Sequence, residues 1–201
     1  MSWSWETQYS GQVRELIRFS RLVYDRGLVS AAGGNVSVRC GDNVLITGSN
    51  VPLRDVTPDS LVLCDLQGNV LEVPQGLRPS KETRFHLGVY VQRPNIRCVI
   101  HAHPSFSIAW SLQRTPLPLH TESARLKLGT VPLIPDAPPG SPELARQVVQ
   151  AVAQAPETAR AFLMEGHGIL VMGETVEDCF HRAELLEDSA KIAVFHALLG
   201  V

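Results

Sequence analysis

The feature that most narrows the fold is a change of period near Leu28. Val13, Leu16, Ile17, Phe19, Leu22 and Val23 recur at a mostly helical spacing that Gly27 ends. An amphipathic helix of about 15 residues with one core-facing side is predicted there. From Leu28 to Val73 the pattern becomes short β-type runs, Asn35 to Arg39, Val44 to Thr47, Leu61 to Cys64 and Val70 to Val73, separated by Gly, Asn, Asp and Pro. Between the last two, Asp65-Leu66-Gln67-Gly68-Asn69 offers Gly and Asn, which tolerate the positive φ of a hairpin turn. Hairpins are therefore predicted for this half.

Beyond it, helix and strand alternate. Lys81 to Gln92 reads as a helix and Arg97 to His103 as a strand, and Pro104 opens a helix through Leu112, proline costing little in a first helical turn. Pro116, Pro118, Pro132, Pro135, Pro138 and Pro139 make the next stretch loop-rich around the run Val131 to Ile134. Pro142 to Val152 reads as a helix, and Ala161 to Met164 and Ile169 to Met172 as strands. Thr175 to Leu199 is predicted as a long last helix with Val176, Cys179, Phe180, Ala183, Leu186, Ala190, Val194 and Ala197 on one stripe. Without a repeat or low-complexity linker, residues 1–201 are read as one domain.

Composition removes several function classes. At 44% hydrophobic and 19% charged residues, 201 residues suffice for a sizeable core, which excludes disorder, coiled coil and collagen-like repeats. Eighteen basic against 20 acidic residues, with no basic cluster, give no means of neutralising a phosphate backbone, so nucleic acid is not an expected partner. No stretch approaches the roughly 18 apolar residues of a membrane helix, and MSWSWETQYS has neither a basic nor an apolar leader region. A soluble, cytoplasmic protein without membrane partners is expected. Trp3 and Trp5 are read as a loosely ordered amphipathic tail, with a subunit contact as the alternative. Cys40, Cys64, Cys98 and Cys179 are scattered without a CxxC pair, and buried free thiols are expected.

The sharpest chemical signal is His101-Ala102-His103, closing the apolar run Cys98-Val99-Ile100. Alternate strand residues share a face, so both imidazoles project side by side toward one metal ion. His167 sits between Gly166 and Gly168, a turn that frees the backbone to aim an imidazole inward, and Glu82 adds a carboxylate. Three histidines and a carboxylate suit Zn²⁺ or another borderline divalent ion with positions left for substrate. An amidohydrolase is rejected, because its HxH opens a much longer barrel. Three further segments carry Gly, Asn, Thr and Ser: Ala31-Ala32-Gly33-Gly34-Asn35-Val36-Ser37, Ile46-Thr47-Gly48-Ser49 and Pro79-Ser80-Lys81-Glu82. Such groups can cradle a phosphate, with Ser80 and Lys81 adding a helix start and an ammonium. No GxxxxGK[ST] and no strand-linked GxGxxG are present, so those nucleotide sites are not supported.

Taken in order, Gly-Asn-x-Ser, Thr-Gly, Pro-Ser-x-Glu, His-x-His and a later His-Gly resemble the class II aldolase and adducin head family over roughly residues 12–195. The resemblance implies an α/β fold, a three-layer α/β/α sandwich with a mixed, mostly antiparallel central sheet, covering residues 1–201 as a single class II aldolase-type domain. It implies His101, His103, His167 and Glu82 as zinc ligands, with Glu82 also the catalytic acid/base once substrate displaces it. Gly34, Asn35, Thr47, Gly48, Ser80 and Lys81 would bind the substrate phosphate. The activity implied is that of a zinc-dependent aldolase, a lyase cleaving a ketose 1-phosphate of the L-fuculose 1-phosphate type to dihydroxyacetone phosphate and a short aldehyde through a metal-stabilised enediolate. A sugar-phosphate decarboxylase or epimerase using the same metal site is the alternative. The family's usual assembly implies a homotetramer with active sites between subunits.

Three departures stand out. Lys81 replaces the second serine that fuculose-phosphate aldolases carry before the glutamate. The loop Leu119-His120-Thr121-Glu122-Ser123 lacks the tyrosine those enzymes use to protonate the leaving aldehyde's oxygen, and no tail tyrosine follows the last helix. His120 or Glu122 is the candidate replacement, against a plain surface loop.

Overall fold

Short strands bounded by turns find their hydrogen-bond partners only beside one another, and here all of them enter one sheet. In the computed structural model, which describes residues 3–200, these are β1 (Asn35–Cys40), β2 (Asn43–Thr47), β3 (Leu61–Asp65), β4 (Val70–Glu72), β5 (Cys98–Ala102), β6 (Leu133–Ile134), β7 (Ala161–Met164) and β8 (Gly168–Gly173). The spatial order is β4-β3-β2-β1-β5-β8-β7-β6, and each pairing is antiparallel except β6 with β7. The sheet is thus mixed and mostly antiparallel, as expected.

Helices α2 (Ser10–Asp25) and α7 (Val176–Leu199) cover one face, and α3 (Thr83–Gln92) and α6 (Pro142–Gln154) the other, which makes the α/β/α sandwich. The predicted stripes account for the packing: Val13, Leu16, Phe19 and Val23 of α2 and Cys179, Phe180, Ala183, Leu186 and Ala190 of α7 are buried. Each such Leu, Val or Phe side chain contributes about 1.5–3 kcal/mol on leaving water. Side-chain oxygens cap two of these helices, Ser141 accepting from the Leu144 N–H ahead of α6 and Thr175 from the Asp178 N–H ahead of α7. All four cysteines are buried and free. No helix among the described residues is long and apolar enough to cross a membrane.

Two segments differ from the sequence reading. Trp5 is wholly buried in a short helix, α1 (Ser4–Gln8), with Trp3 stacked on it at 5.0 Å and donating from its indole N–H to Asp59. This stretch is therefore docked on the body, because a buried indole outweighs the ordering cost of a short tail. Beyond α4 (Ser105–Ser111), which follows the HxH pair as read, the segment after His120 forms α5 (Glu122–Lys127), capped by the Thr121 hydroxyl accepting from the Ala124 N–H. Met1, Ser2 and Val201 lie outside the described residues.

Sheet order also places the first histidine of the HxH pair. β5 runs between β1 and β8, and the register pairs His101 with Asn35 on one side and Leu170 on the other.

Candidate metal centre

The period of two along β5 carries His101, and the chain just past its end carries His103 on the same side, with ring centroids 4.6 Å apart. The backbone N–H of His103 donates to the Leu28 carbonyl at 3.0 Å, which holds this continuation in place. His167 reaches the pair through the turn from β7 to β8, its ring 4.8 Å from His101 and 5.3 Å from His103. Both flanking glycines are required. Gly166 has φ +61°, and a Cβ on Gly168 would stand 2.2 Å from the Ala102 carbonyl oxygen. One ring nitrogen from each histidine lies within 4.8 Å of the others.

Protonation logic leaves these nitrogens with lone pairs to offer. His101, fully buried, donates from Nδ1 to the Ile169 carbonyl at 2.9 Å, which leaves Nε2 as the lone-pair nitrogen. That nitrogen faces His103 Nε2 at 2.8 Å, so the two can share at most one proton. Burial first, then the neighbouring imidazoles, hold His101 well below the ordinary histidine pKa, and burial followed by the His167 charge lowers His103 as well.

Glu82, the residue before α3, brings a carboxylate to the same point. Its Oε2 is 3.2 Å from His101 Nε2 and its Oε1 3.4 Å from His167 Nε2. Asn35 Nδ2 donates to Oε2 at 2.8 Å. Glu82 Oε1 and His167 Nδ1 are buried without a hydrogen-bond partner. Buried polar atoms are rarely left so, and here the orphaned carboxylate oxygen sits among imidazoles with lone pairs to offer. The donor set fits a divalent cation held by three nitrogens and one carboxylate.

Behind Asn35 lies a buried polar chain that the sequence reading did not contain. Asn35 Oδ1 meets His86 Nε2, His86 Nδ1 meets the Ser37 hydroxyl at 2.8 Å, and that hydroxyl meets the Tyr90 hydroxyl at 2.8 Å. Burial pushes His86 down to about 3, so the ring is neutral.

The cluster opens into a pocket of about 350 Å³ whose lining includes Gly34, Asn35, Gly48, Ser80, Lys81, Glu82, His103 and His167. Glu82 is the one carboxylate among the lining residues. An isolated bridge between Gly48 and Pro79 lays the Thr47-Gly48 turn beside Ser80. The phosphate cradle read from sequence is thus assembled only in part. Thr47 does not line the pocket: it shares the side of β2 with Leu45, and its hydroxyl accepts from the Val36 N–H at 3.2 Å. The Gly48 N–H is taken up by the Ser60 carbonyl, and the Asn35 amide by Glu82 and His86. Ser49, Asn50, Pro139 and Gly140 also line the pocket. Ser49 belongs to the Ile46-Thr47-Gly48-Ser49 segment without having been singled out, whereas Pro139 and Gly140 read as plain loop. His120 stacks on His196 at 4.3 Å, and neither His120 nor Glu122 lines this pocket.

The profile of the family described as Class II Aldolase and Adducin N-terminal domain matches residues 14–194. A protein named L-fuculose phosphate aldolase from Methanococcus maripaludis is 30% identical over 178 residues, 89% of this chain and 93% of that protein. A protein named 3-oxo-tetronate 4-phosphate decarboxylase from Haemophilus influenzae is 31% identical over 191 residues, 92% of this chain and 87% of its own. The crystal structure of l-fuculose-1-phosphate aldolase from Thermus thermophilus superposes with a TM-score of 0.83 at 28% identity, covering 94% of this chain and 95% of that one.

Proposed function

Since this chain belongs to the class II aldolase and adducin N-terminal domain family and carries a histidine cluster able to hold a metal, we propose that it is a zinc-dependent aldolase. The substrate class is a ketose 1-phosphate of the L-fuculose 1-phosphate type, cleaved to dihydroxyacetone phosphate and a short aldehyde. The observation that carries this reading is the placement of Glu82, the pocket's one carboxylate, within 3.4 Å of two clustered histidines and in the same cavity as Lys81 and Ser80.

His101, His103 and His167, with Glu82, would hold the cation, and three imidazoles without a thiolate suit zinc. Bound there, a divalent cation supplies Lewis-acid stabilisation of negative charge developing on substrate oxygens. The protein's own groups do the rest. Lys81 and Ser80 offer an ammonium and a hydroxyl to the phosphate, which fixes the other end of the sugar relative to Glu82. As the C3–C4 bond breaks, the proton of the C4 hydroxyl passes to the Glu82 carboxylate, the aldehyde forms and the electron pair is left at C3. Glu82, holding a proton, delivers it to C3 and completes dihydroxyacetone phosphate. The assembly proposed is a homotetramer, supported by the exposed Leu126, Leu198 and Leu199; a monomer in light scattering would overturn it.

A decarboxylase acting on a sugar-acid phosphate is the second reading, favoured by the 31% identity to the Haemophilus influenzae protein. Loss of carbon dioxide also leaves an electron pair beside a carbonyl, so the same carboxylate and cation serve both reactions. The test is a panel: L-fuculose 1-phosphate followed for dihydroxyacetone phosphate, and 3-oxo-tetronate 4-phosphate followed for carbon dioxide. Release from the first alone supports the aldolase, and release from the second alone supplants it. In either reaction Glu82→Gln is expected to keep its metal and lose about 10²–10⁴-fold in turnover; full activity would remove Glu82 from the mechanism.

A further inference from the structure

Resting on the reading of Glu82 as the proton carrier, we propose that His86 is a positioning residue that sets the Glu82 carboxylate through Asn35. Two periodicities make this arrangement. Glu82, His86 and Tyr90 lie four residues apart along the start and body of α3, on its sheet-facing side, and Asn35 and Ser37 lie two apart on the side of β1 that meets it.

The direction of every hydrogen bond follows from one fact. A carboxylate only accepts, so Asn35 presents Nδ2 to Glu82 Oε2 and is left with Oδ1 toward His86. His86 must then donate from Nε2 and accept at Nδ1, where the donor is the Ser37 hydroxyl. Ser37 in turn accepts from Tyr90. Each group donates toward the glutamate, from Tyr90 through Ser37, His86 and Asn35. His86 is fully buried and does not line the pocket, so it touches neither cation nor substrate. Its effect reaches the reaction only through Asn35, whose amide would otherwise be free to rotate and turn its carbonyl oxygen against Glu82.

The experiment uses the zinc-loaded protein. Long-range proton–nitrogen correlation of nitrogen-15-labelled histidines should show His86 as the Nε2–H tautomer with a bare Nδ1; the Nδ1–H tautomer would overturn the proposal whichever sugar phosphate the enzyme accepts. For kinetics, His86→Leu is compared with Glu82→Gln on the active substrate of the panel. Misplacing a reacting group by about 1 Å costs on the order of 100-fold. His86→Leu should lose kcat to about that extent, with KM and zinc per chain within about threefold of the unaltered protein, and His86→Gln, whose amide can still donate to Asn35, should recover about tenfold of it. Unaltered kcat in His86→Leu, alongside an inactive Glu82→Gln, would sink the positioning role alone. An active Glu82→Gln would instead sink the reading beneath it. Should His86→Leu fail to fold, Ser37→Ala removes the donor to Nδ1: a mixed His86 tautomer with a lowered kcat supports the proposal, and an unchanged tautomer and kcat refute it.

Discussion

The two faces of the central strands differ in what accompanies their apolar side chains. Toward α2 and α7, β1 presents Val36, Val38 and Cys40, β5 presents Cys98, Ile100 and Ala102, and β8 presents Ile169 and Val171, all buried and apolar. Toward α3 and α6, β5 presents Val99 and β8 presents Leu170 and Met172, but the same β1 also presents Asn35 and Ser37 and the same β5 His101, every one of them buried. Burial of polar groups costs free energy unless each is hydrogen-bonded, and this face answers with the chain from Tyr90 to Glu82. Of the buried atoms left without partners, Glu82 Oε1 and His167 Nδ1 belong to the histidine cluster. Both faces bury apolar side chains, and only one of them also carries the polar groups of the candidate site.

The sharpest way to break that contrast is to remove the cation. Chelation, or His101→Ala, should lower turnover by about a thousandfold or more, the worth of several kcal/mol of charge stabilisation. Zinc returned to the chelated protein should restore it, and zinc returned to His101→Ala should not, as metal analysis beside the assay will show. Leu186→Ala, in the layer opposite the site, should cost about 2–5 kcal/mol in urea unfolding while kcat of the folded protein stays unchanged; a matched fall in kcat would mean the two faces are not separable.

The smallest effect concerns pH. His86 is held down to about 3 in the folded protein, whereas the unfolded chain takes up that proton near 6.5. Between those values the unfolded state binds more protons, so stability falls as pH drops from 6.5 toward 3, with no contribution from this group above 6.5. His86→Leu should flatten that slope by at most about 1.4 kcal/mol per pH unit, one proton's worth, measured by urea titration at several pH values. An unchanged slope would mean His86 is not buried as a neutral base.

Much of the fold is legible in the order of residues alone. The stripes of α2 and α7 announce themselves because several helical turns repeat the same spacing, and the HxH of β5 because strand alternation is a local rule. Short elements carry no such repeat. With five residues, α1 completes little more than one turn, so only the burial of Trp5 reveals it. For α5 a signal existed, Thr121 followed by Glu122 as a cap and first turn, but the prolines before it argued for loop. Thr47 lies away from the pocket for another reason. Its neighbours Gly48 and Ser49 do line the pocket, while strand parity turns its own side chain toward the Leu45 side of the sheet.

What the sequence determined by itself was the longer elements, the histidines as candidate ligands and the pairing of His101 with His103, because each depends on spacing within one segment. Only the tertiary structure decided that β1 lies beside β5 and that α3 lies across both. That placement brings Asn35 to Glu82, 47 residues apart, and Ser37 to His86, 49 apart. Contacts of that separation are fixed by how sheet and helix faces bury one another, and no local period records them.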